Sequence, residues 1–302
     1  MAISRAQLAK ELEPGLNALF GLEYNRYEGE WNEVFDTESS DRAFEEEVML
    51  SGFGQAPVKA EGAAVTFDTA NESFTARYTH ETIALAFAIT EEAVEDNLYD
   101  RLSTRYTRAL ARSMSNTKEV KGANILNNAF NSSFTFGDGK ELCATDHPTL
   151  GGGNFRNELT VAADLNETSL EQSMIDIAAF IDERGLLVAV QGRKLIIPPA
   201  LQFVAERLTA TQLRPGTADN DINAMRNMGM LPEGYVINHY LTDTDAFFIK
   251  TDSPNGFKHF ERSPVRTSME GDFDTGNVRY KARERYSFGV SDPRCVFGSP
   301  GA

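Results

Sequence analysis

Apolar and polar positions change rhythm twice along the first half of the chain. Val65 and Phe67 alternate with Thr66 and Asp68, and Phe74, Ala76 and Tyr78 alternate with Thr75, Arg77 and Thr79. A period of two marks a half-exposed strand. Farther on, Ile83, Leu85, Phe87 and Ile89 have the small residues Ala84, Ala86 and Ala88 between them. Both faces there are apolar, so this end of the strand is expected to enter a core. Gly52 to Pro57 and Glu61 to Ala64 are turn and loop material. Residues 51–89 therefore predict a long β-hairpin arm. A two-stranded hairpin is marginal in water by itself, so this arm needs something to lie on.

From Thr90 the rhythm becomes helical. Leu98, Leu102, Tyr106, Leu110, Met114, Ile125 and Ala129 recur at three- and four-residue steps. The pattern predicts one helix from Thr90 to about Asn131, roughly eleven turns or ~60 Å long. Thr90 suits the N-cap, and Glu91 and Glu92 suit the positive end of the dipole. Gly122 predicts a kink or a close approach. Arg101, Arg105, Arg108 and Arg112 form a second face, read as solvated, as a subunit contact or as an inward face toward DNA.

Shorter elements surround these two. Ser4 to Phe20 fits an amphipathic helix interrupted at Pro14-Gly15. Leu170 to Arg184 fits another, with Thr168-Ser169-Leu170-Glu171 as its capping box and Gly185 as its stop. After Gly185 the texture is α/β. Strands are expected at 186–190, 194–197, 235–238 and 246–251, a helix from Pro198-Pro199 through Thr211, and a polar loop at about 212–234. This resembles a compact lobe inserted into the first. A final strand places Val278, Tyr280, Ala282, Tyr286, Phe288 and Val290 on one face and Arg279, Lys281, Arg283 and Arg285 on the other.

Charge sharpens the picture. The chain has 302 residues and a formal net charge of −16. Glu28, Glu30, Glu33, Asp36, Glu38, Asp41, Glu45, Glu46 and Glu47 against Arg42 give residues 28–47 a net charge of −8, half of that total. Trp31, Phe35 and Phe44 are the candidate anchors of this acidic arm. Four cations on one strand face repel one another unless solvated or met by acids, and the acidic arm of the same or a neighbouring chain is a candidate partner. The overall acidity argues against tight nucleic-acid binding, which needs clustered Lys and Arg, but not against enclosing DNA. No apolar run approaches the ~20 residues of a membrane span. Two cysteines, Cys143 and Cys295, make a disulfide framework improbable.

No catalytic set emerges. Cys143, Asp146 and His147 are the best metal candidates, but zinc wants four ligands, or three and a water, and His80, His239 and His259 stand in unrelated textures. A structural role for Cys143 and His147 is the expectation. Gly151-Gly152-Gly153-Asn154 lacks the lysine and the preceding strand of a phosphate loop. No Gly-x-Ser-x-Gly nucleophile elbow is present. Neither a cofactor, a metal nor an enzymatic activity is expected.

The order of features now matches a known pattern. An acidic arm and a Gly/Ala/Pro-tipped hairpin precede a strand ending Phe87-Ala88-Ile89-Thr90, and a long helix opens on Glu91-Glu92-Ala93-Val94-Glu95-Asp96-Asn97. This resembles the major capsid proteins of tailed bacteriophages with the Hong Kong 97 fold. The run Leu142-Cys143-Ala144-Thr145-Asp146-His147-Pro148 before a glycine-rich loop is similar to the Mu-type major head subunits.

The resemblance implies an α+β fold with an N-terminal arm (1–47), an extended β-hairpin loop (48–89), a peripheral domain with a spine helix at 90–131 (90–185), an inserted α/β axial domain (186–252) and a return to the peripheral domain (253–302). It implies hexamers and pentamers in an icosahedral virion head around double-stranded DNA, bound without sequence specificity. A separate scaffolding protein is expected, because no charge-rich helical leader precedes the arm. A portal at one vertex follows, while a maturation protease or cement protein is left open. Assembly would take place in the host cytoplasm, without a membrane. An encapsulin-like compartment of the same fold is the alternative. Trp31, Phe35, Phe53, Lys59, Arg279, Lys281, Arg283 and Arg285 are the expected assembly contacts. Some relatives crosslink a loop lysine to a neighbour's asparagine; Lys59 sits near the tip, and crosslinking is not expected here.

Overall fold

The computed structural model describes residues 5–90, 92–93, 99–213, 221–272 and 276–302. Its longest helix, α2 (Tyr99–Asn127), has 29 residues, or ~43 Å at 1.5 Å per residue. The expected cap region at Glu91 and at residues 94–98 lies outside the described residues, and so does part of the polar loop, residues 214–220. Gly122 lies inside α2 as a point of close approach: a Cβ there would stand 3.1 Å from the Trp31 Cβ.

Helix α1 (Arg5–Tyr24) runs through Pro14 without the expected break. A proline inside a helix removes one hydrogen bond, but packing farther along holds the element. Leu16 and Phe20 bury against Leu110, Ala111 and Met114 of α2 and against Tyr280 and Ala282. Asn17 accepts hydrogen bonds from Thr267 Oγ1 at 2.7 Å and Tyr280 OH at 2.9 Å.

Two four-stranded sheets organise the rest. The first has the order β1 (Asp36–Ser39), β10 (Phe257–Gly271), β11 (Val278–Val290), β4 (Glu81–Ile89). β1 lies parallel to β10, and the other neighbours are antiparallel. The second has the order β12 (Val296–Ser299), β9 (Phe247–Thr251), β7 (Gly192–Ile197), β8 (Tyr235–Ile237), with only β7 and β8 parallel. The tail strand β12 thus edges the sheet formed by the inserted segment. Cluster residues Leu170, Met174 and Ile177 of α3 (Glu167–Ala178) back this sheet with Leu195, Ile197, Phe247, Ile249 and Phe297. Helices α4 (Gln202–Thr209) and α5 (Ala224–Asn227) complete the lobe. Two-residue strands β5 (His147–Pro148) and β6 (Asn154–Phe155) pair in the turn-rich stretch before α3.

Several expectations are corrected. The outgoing hairpin strand is β2 (Phe44–Leu50), within the acidic stretch, and it pairs with β3 (Glu72–Thr79). Val65 and Phe67 lie in an irregular, exposed segment. Two alternating residues are too short a run to outcompete the seven of β2. β4 is not buried on both faces: Ile83 and Phe87 are half-buried and Ile89 buried, but Ala84, Ala86 and Ala88 are exposed and Leu85 is 47% exposed. α3 starts one turn early because Asn166 forms the capping box with Ser169, and it ends before Ile181. Gly185, at φ 82°, serves the turn closed by Gly185 N to Asp182 O, not a helix stop. The expected strand at 186–190 is reduced to one bridge, Ile181 to Leu187.

The alternation of β11 holds, with one addition. Tyr280, Ala282, Tyr286 and Val290 are buried, and Glu284 shares their face at 2% exposure. Its partner is Tyr24, whose hydroxyl donates to it at 2.9 Å.

Gly298 in β12 tests the packing where the sheets meet. A Cβ at this position would come within 3.0 Å of Cys143 Sγ, Phe130 Cζ and Phe248 Cδ1. Gly298→Val is expected to lower stability by about 1–3 kcal/mol through overpacking, measured as the shift in chemical denaturation midpoint of the unassembled chain.

Candidate assembly surfaces

The acidic arm is fastened to its own chain by a buried carboxylate. A 3-10 turn at Glu30–Glu33 leaves its first amides free, as every helix start does. The Glu30 and Trp31 amides donate to Glu119 of α2, each at 3.1 Å. The Trp31 ring lies 4.4 Å from His259 and 5.7 Å from Phe288, with Lys118 Nζ 4.4 Å above it, a cation–π contact. Phe35 follows into the core against Phe257 and Phe288, at 5.2 and 4.9 Å.

Burial dominates the electrostatics of this latch. It pushes Glu119 up to about 7 against the pull of the two amides. It pushes His259 down to about 3, with Lys118 adding to the effect. Lys118 is itself lowered by burial and partly restored by Glu284, Glu261 and Glu119.

Six other acids of the arm meet cations, but not the row on β11. Glu33 pairs with Lys194 at 2.8 Å, Asp36 with Lys250 at 3.6 Å, Glu38 with Lys258 at 3.0 Å and Glu46 with Arg77 at 3.7 Å. Glu47 also reaches Lys258, and Glu30 holds His239 Nδ1 at 2.6 Å. Among the described residues of the chain, the contact expected between the acidic arm and Arg279, Lys281, Arg283 and Arg285 is therefore not made.

The expected contact residues separate into three groups. Trp31 and Phe35 come together on Phe288 as intramolecular anchors; Phe35 is 3% exposed, so its ring is not left for a neighbour. Phe53 and Lys59 stand exposed in the irregular segment 51–71. Asp68 ties that segment down by accepting from Gly54 and Thr69 amides at 2.8 Å and pairing with Arg184 at 2.9 Å. These donors hold Asp68 below the usual carboxylate range. Arg279, Lys281 and Arg283 line the exposed face of β11, with Arg285 half-buried behind them. Arg279 pairs with Asp272, and Arg283 sits directly across from Arg266 on β10.

Cys143 and His147 take structural positions. His147 engages Asp138 through Nδ1 at 2.5 Å and Asn157 through Nε2 at 3.0 Å. Both ring nitrogens are occupied. Cys143 is fully buried, and burial raises its thiol well above its ordinary range. Asp146 turns away to Lys140 at 2.5 Å.

Sequence reasoning missed the polar hubs. Asn157 accepts from the Ala144 amide and donates to the carbonyls of Leu142 and Pro293. Arg294 binds Glu183 at 2.8 Å, both buried, and donates to the Ile181 carbonyl at 2.7 Å. Neither these residues nor Glu119 carries a local signal, because each partner is remote in sequence.

Comparison with known proteins agrees with this architecture. A family model described as phage capsid protein matches residues 73–298. No curated protein sequence matches. Among solved structures, the capsid of a native GTA particle is similar with a TM-score of 0.55 and 11% identity, over 91% of this chain and 90% of that one. The capsid of Myoviridae phage XM1 is similar with a TM-score of 0.53 and 11% identity, over 89% of each chain. A virus-like particle from Pyrococcus furiosus is similar with a TM-score of 0.51 and 10% identity, over 94% of this chain and 97% of that one. At such identities the likeness is one of fold.

Two outcomes test the latch. Phe35→Ala is expected to destabilise the unassembled chain by about 3–5 kcal/mol, the range for an aromatic removed from a core; a loss seen only in assembled particles would place this ring between subunits. The folded-state pKa of Glu119 is raised from 4.5 to about 7, so its neutral form is the favoured one. Its contribution is present below pH ~4.5 and is lost as pH rises to ~7. Glu119→Gln, which cannot ionise, should gain melting temperature relative to wild type between pH 5 and pH 8. Parallel melting curves across that range would show Glu119 to be ionised throughout.

Proposed function

We propose, from the premise that this chain belongs to the phage capsid protein family, that it is the major head subunit of a tailed bacteriophage. In this reading it assembles as hexamers and pentamers into an icosahedral shell around double-stranded DNA and performs no catalysis. The observation that carries the reading is surface left without a partner. Val58 is 100% and Phe67 94% exposed in segment 51–71, and Leu50, Phe53 and Val65 are exposed with them. A stretch of this kind marks a contact surface, and a shell supplies neighbours to cover it.

The Hong Kong 97 division of the chain gives each region a task. Residues 1–47 form the N-terminal arm, latched by Glu119 and Trp31. Residues 48–89 form the extended loop on the β2–β3 ribbon. Residues 90–185 and 253–302 make the peripheral domain around α2 as its spine, and 186–252 make the axial domain that meets its copies at the symmetry centres. Run 142–148 favours the Mu-like branch. Phe53 and Lys59 are loop contacts, with no crosslink formed. A scaffolding protein and a portal complete the assembly, and the finished subunit resides in the virion. The alternative, an encapsulin-like compartment, draws support from the fold shared with an archaeal virus-like particle.

Negative-stain electron microscopy of the purified chain, alone and with its candidate scaffold, is the test. Closed uniform shells, or rings of five and six, are expected. A monodisperse monomer under all conditions would overturn the reading. Nucleic acid recovered from native particles supports the phage head, whereas a co-purifying enzyme would support the compartment. Boiled, reduced particles should run as one monomer-sized band.

A further inference from the structure

The first sheet is covered unevenly. Helices α1 and α2 pack on one face through Leu16, Phe20, Leu110 and Met114. The opposite face is covered at one end by β3, where Tyr78 meets Phe260 edge to face at 4.8 Å and a Cβ at Gly289 would stand 2.6 Å from the Tyr78 ring. At the other end Ala84, Ala86, Ala88, Arg266, Lys281 and Arg283 are exposed. β4 closes the sheet order, so among the described residues no strand pairs with its outer edge.

We propose that this edge of β4, with the cation row beside it, receives an extended acidic segment of a second copy of the chain by strand addition. The inference rests on the shell reading and names one contact that builds the shell.

Three observations meet here. First, β4 is an unguarded edge. It keeps unbroken register with β11 over nine residue pairs, contains no proline, and carries one charge, Glu81, at its start. Edges that must stay free are shielded by lysines, prolines or bulges. Second, each cation sits beside an alanine: Arg279 opposite Ala88, Lys281 opposite Ala86, Arg283 opposite Ala84. The short alanines leave room for long side chains to cross β4 toward a strand about 5 Å beyond it. Arg266, opposite Arg283 on the inner side, repels in that same direction. Third, the open edge presents both N–H and C=O groups, and a polypeptide backbone complements both. A phosphate backbone offers acceptors alone.

The charge balance supplies the partner. The chain holds 45 acids against 29 Lys and Arg, so a second copy is rich in carboxylates. Its own arm is not the occupant, since Glu33, Asp36, Glu38, Glu46 and Glu47 are already paired with Lys194, Lys250, Lys258 and Arg77. Acids at alternate positions of the added strand would face the row at matching spacing.

Hydrogen exchange on the full wild-type chain, unassembled and in shells, tests the proposal. The outward amides of residues 81–89 should exchange at least about tenfold more slowly in empty shells than in free subunits. Lys281→Glu with Arg283→Glu, on the exposed face and with wild-type melting, should cut shell yield at low salt by at least about tenfold. Shells whose β4 amides exchange as in free subunits would overturn the strand addition and leave the shell reading standing. Protection that appears only in DNA-filled particles would assign the face to nucleic acid and also overturn it. If wild-type protein forms no shells, the shell reading fails and takes this inference with it.

Discussion

The second half of α2 is the element on which the other layers depend. Ile125 and Leu126, with Ala129 in the turn just past its end, share one cluster with Val34 and Phe35 of the arm, Phe257 and Val290 of the first sheet, and Ile196, Phe248 and Val296 of the second. Earlier along the same helix, Leu110, Ala111 and Met114 hold α1 against β11. A straight helix can serve both clusters because residues three and four apart share a face. Gly122 is part of this arrangement, since a larger residue would displace Trp31. The arm, α1 and the two sheets are thus referred to one helix.

Charge fixes the orientation that apolar packing alone leaves loose. The acidic stretch is distributed over Lys194, Lys250, Lys258, Arg77 and His239, which come from β7, β9, β10, β3 and the segment after β8. The exposed pairs contribute little stability singly. Their value is in register, because the acids are spread along the arm over cations on four different strands, with Lys258 serving both Glu38 and Glu47. Arg294 and Glu183 tie the tail to the turn after α3 from inside. A buried pair of this kind is weak evidence for stability, and removal of one partner is strongly destabilising.

The subunit is well packed around its three main clusters and bare at its periphery. Segment 51–71 returns to the body through Asp68 and Arg184 yet keeps its apolar side chains in solvent. The first sheet has two helices on one face and half a cover on the other. For a monomer this distribution would be an aggregation liability. In the proposed shell, these bare surfaces are the ones open to neighbouring subunits.

Local pattern alone determined the long helix, the inward face of β11 and the turn-rich stretch before α3, and at Gly122 it left a kink and a close approach both open. Each depends on a few consecutive residues and the fixed periods of helix and strand. The same pattern determined that Ala84, Leu85, Ala86 and Phe87 form a strand apolar on both faces, but not what covers the second face, because alternation records a capacity for burial and not its partner. Tertiary structure decided the rest. It paired β3 with acidic β2, carried α1 through Pro14, and sent the arm's carboxylates to lysines and an arginine far along the chain in place of the row on β11. It also chose Asn157, Arg294 and Glu119 as hubs. Those outcomes depend on contacts between residues tens to hundreds of positions apart, whose geometry exists only once the layers have closed on one another.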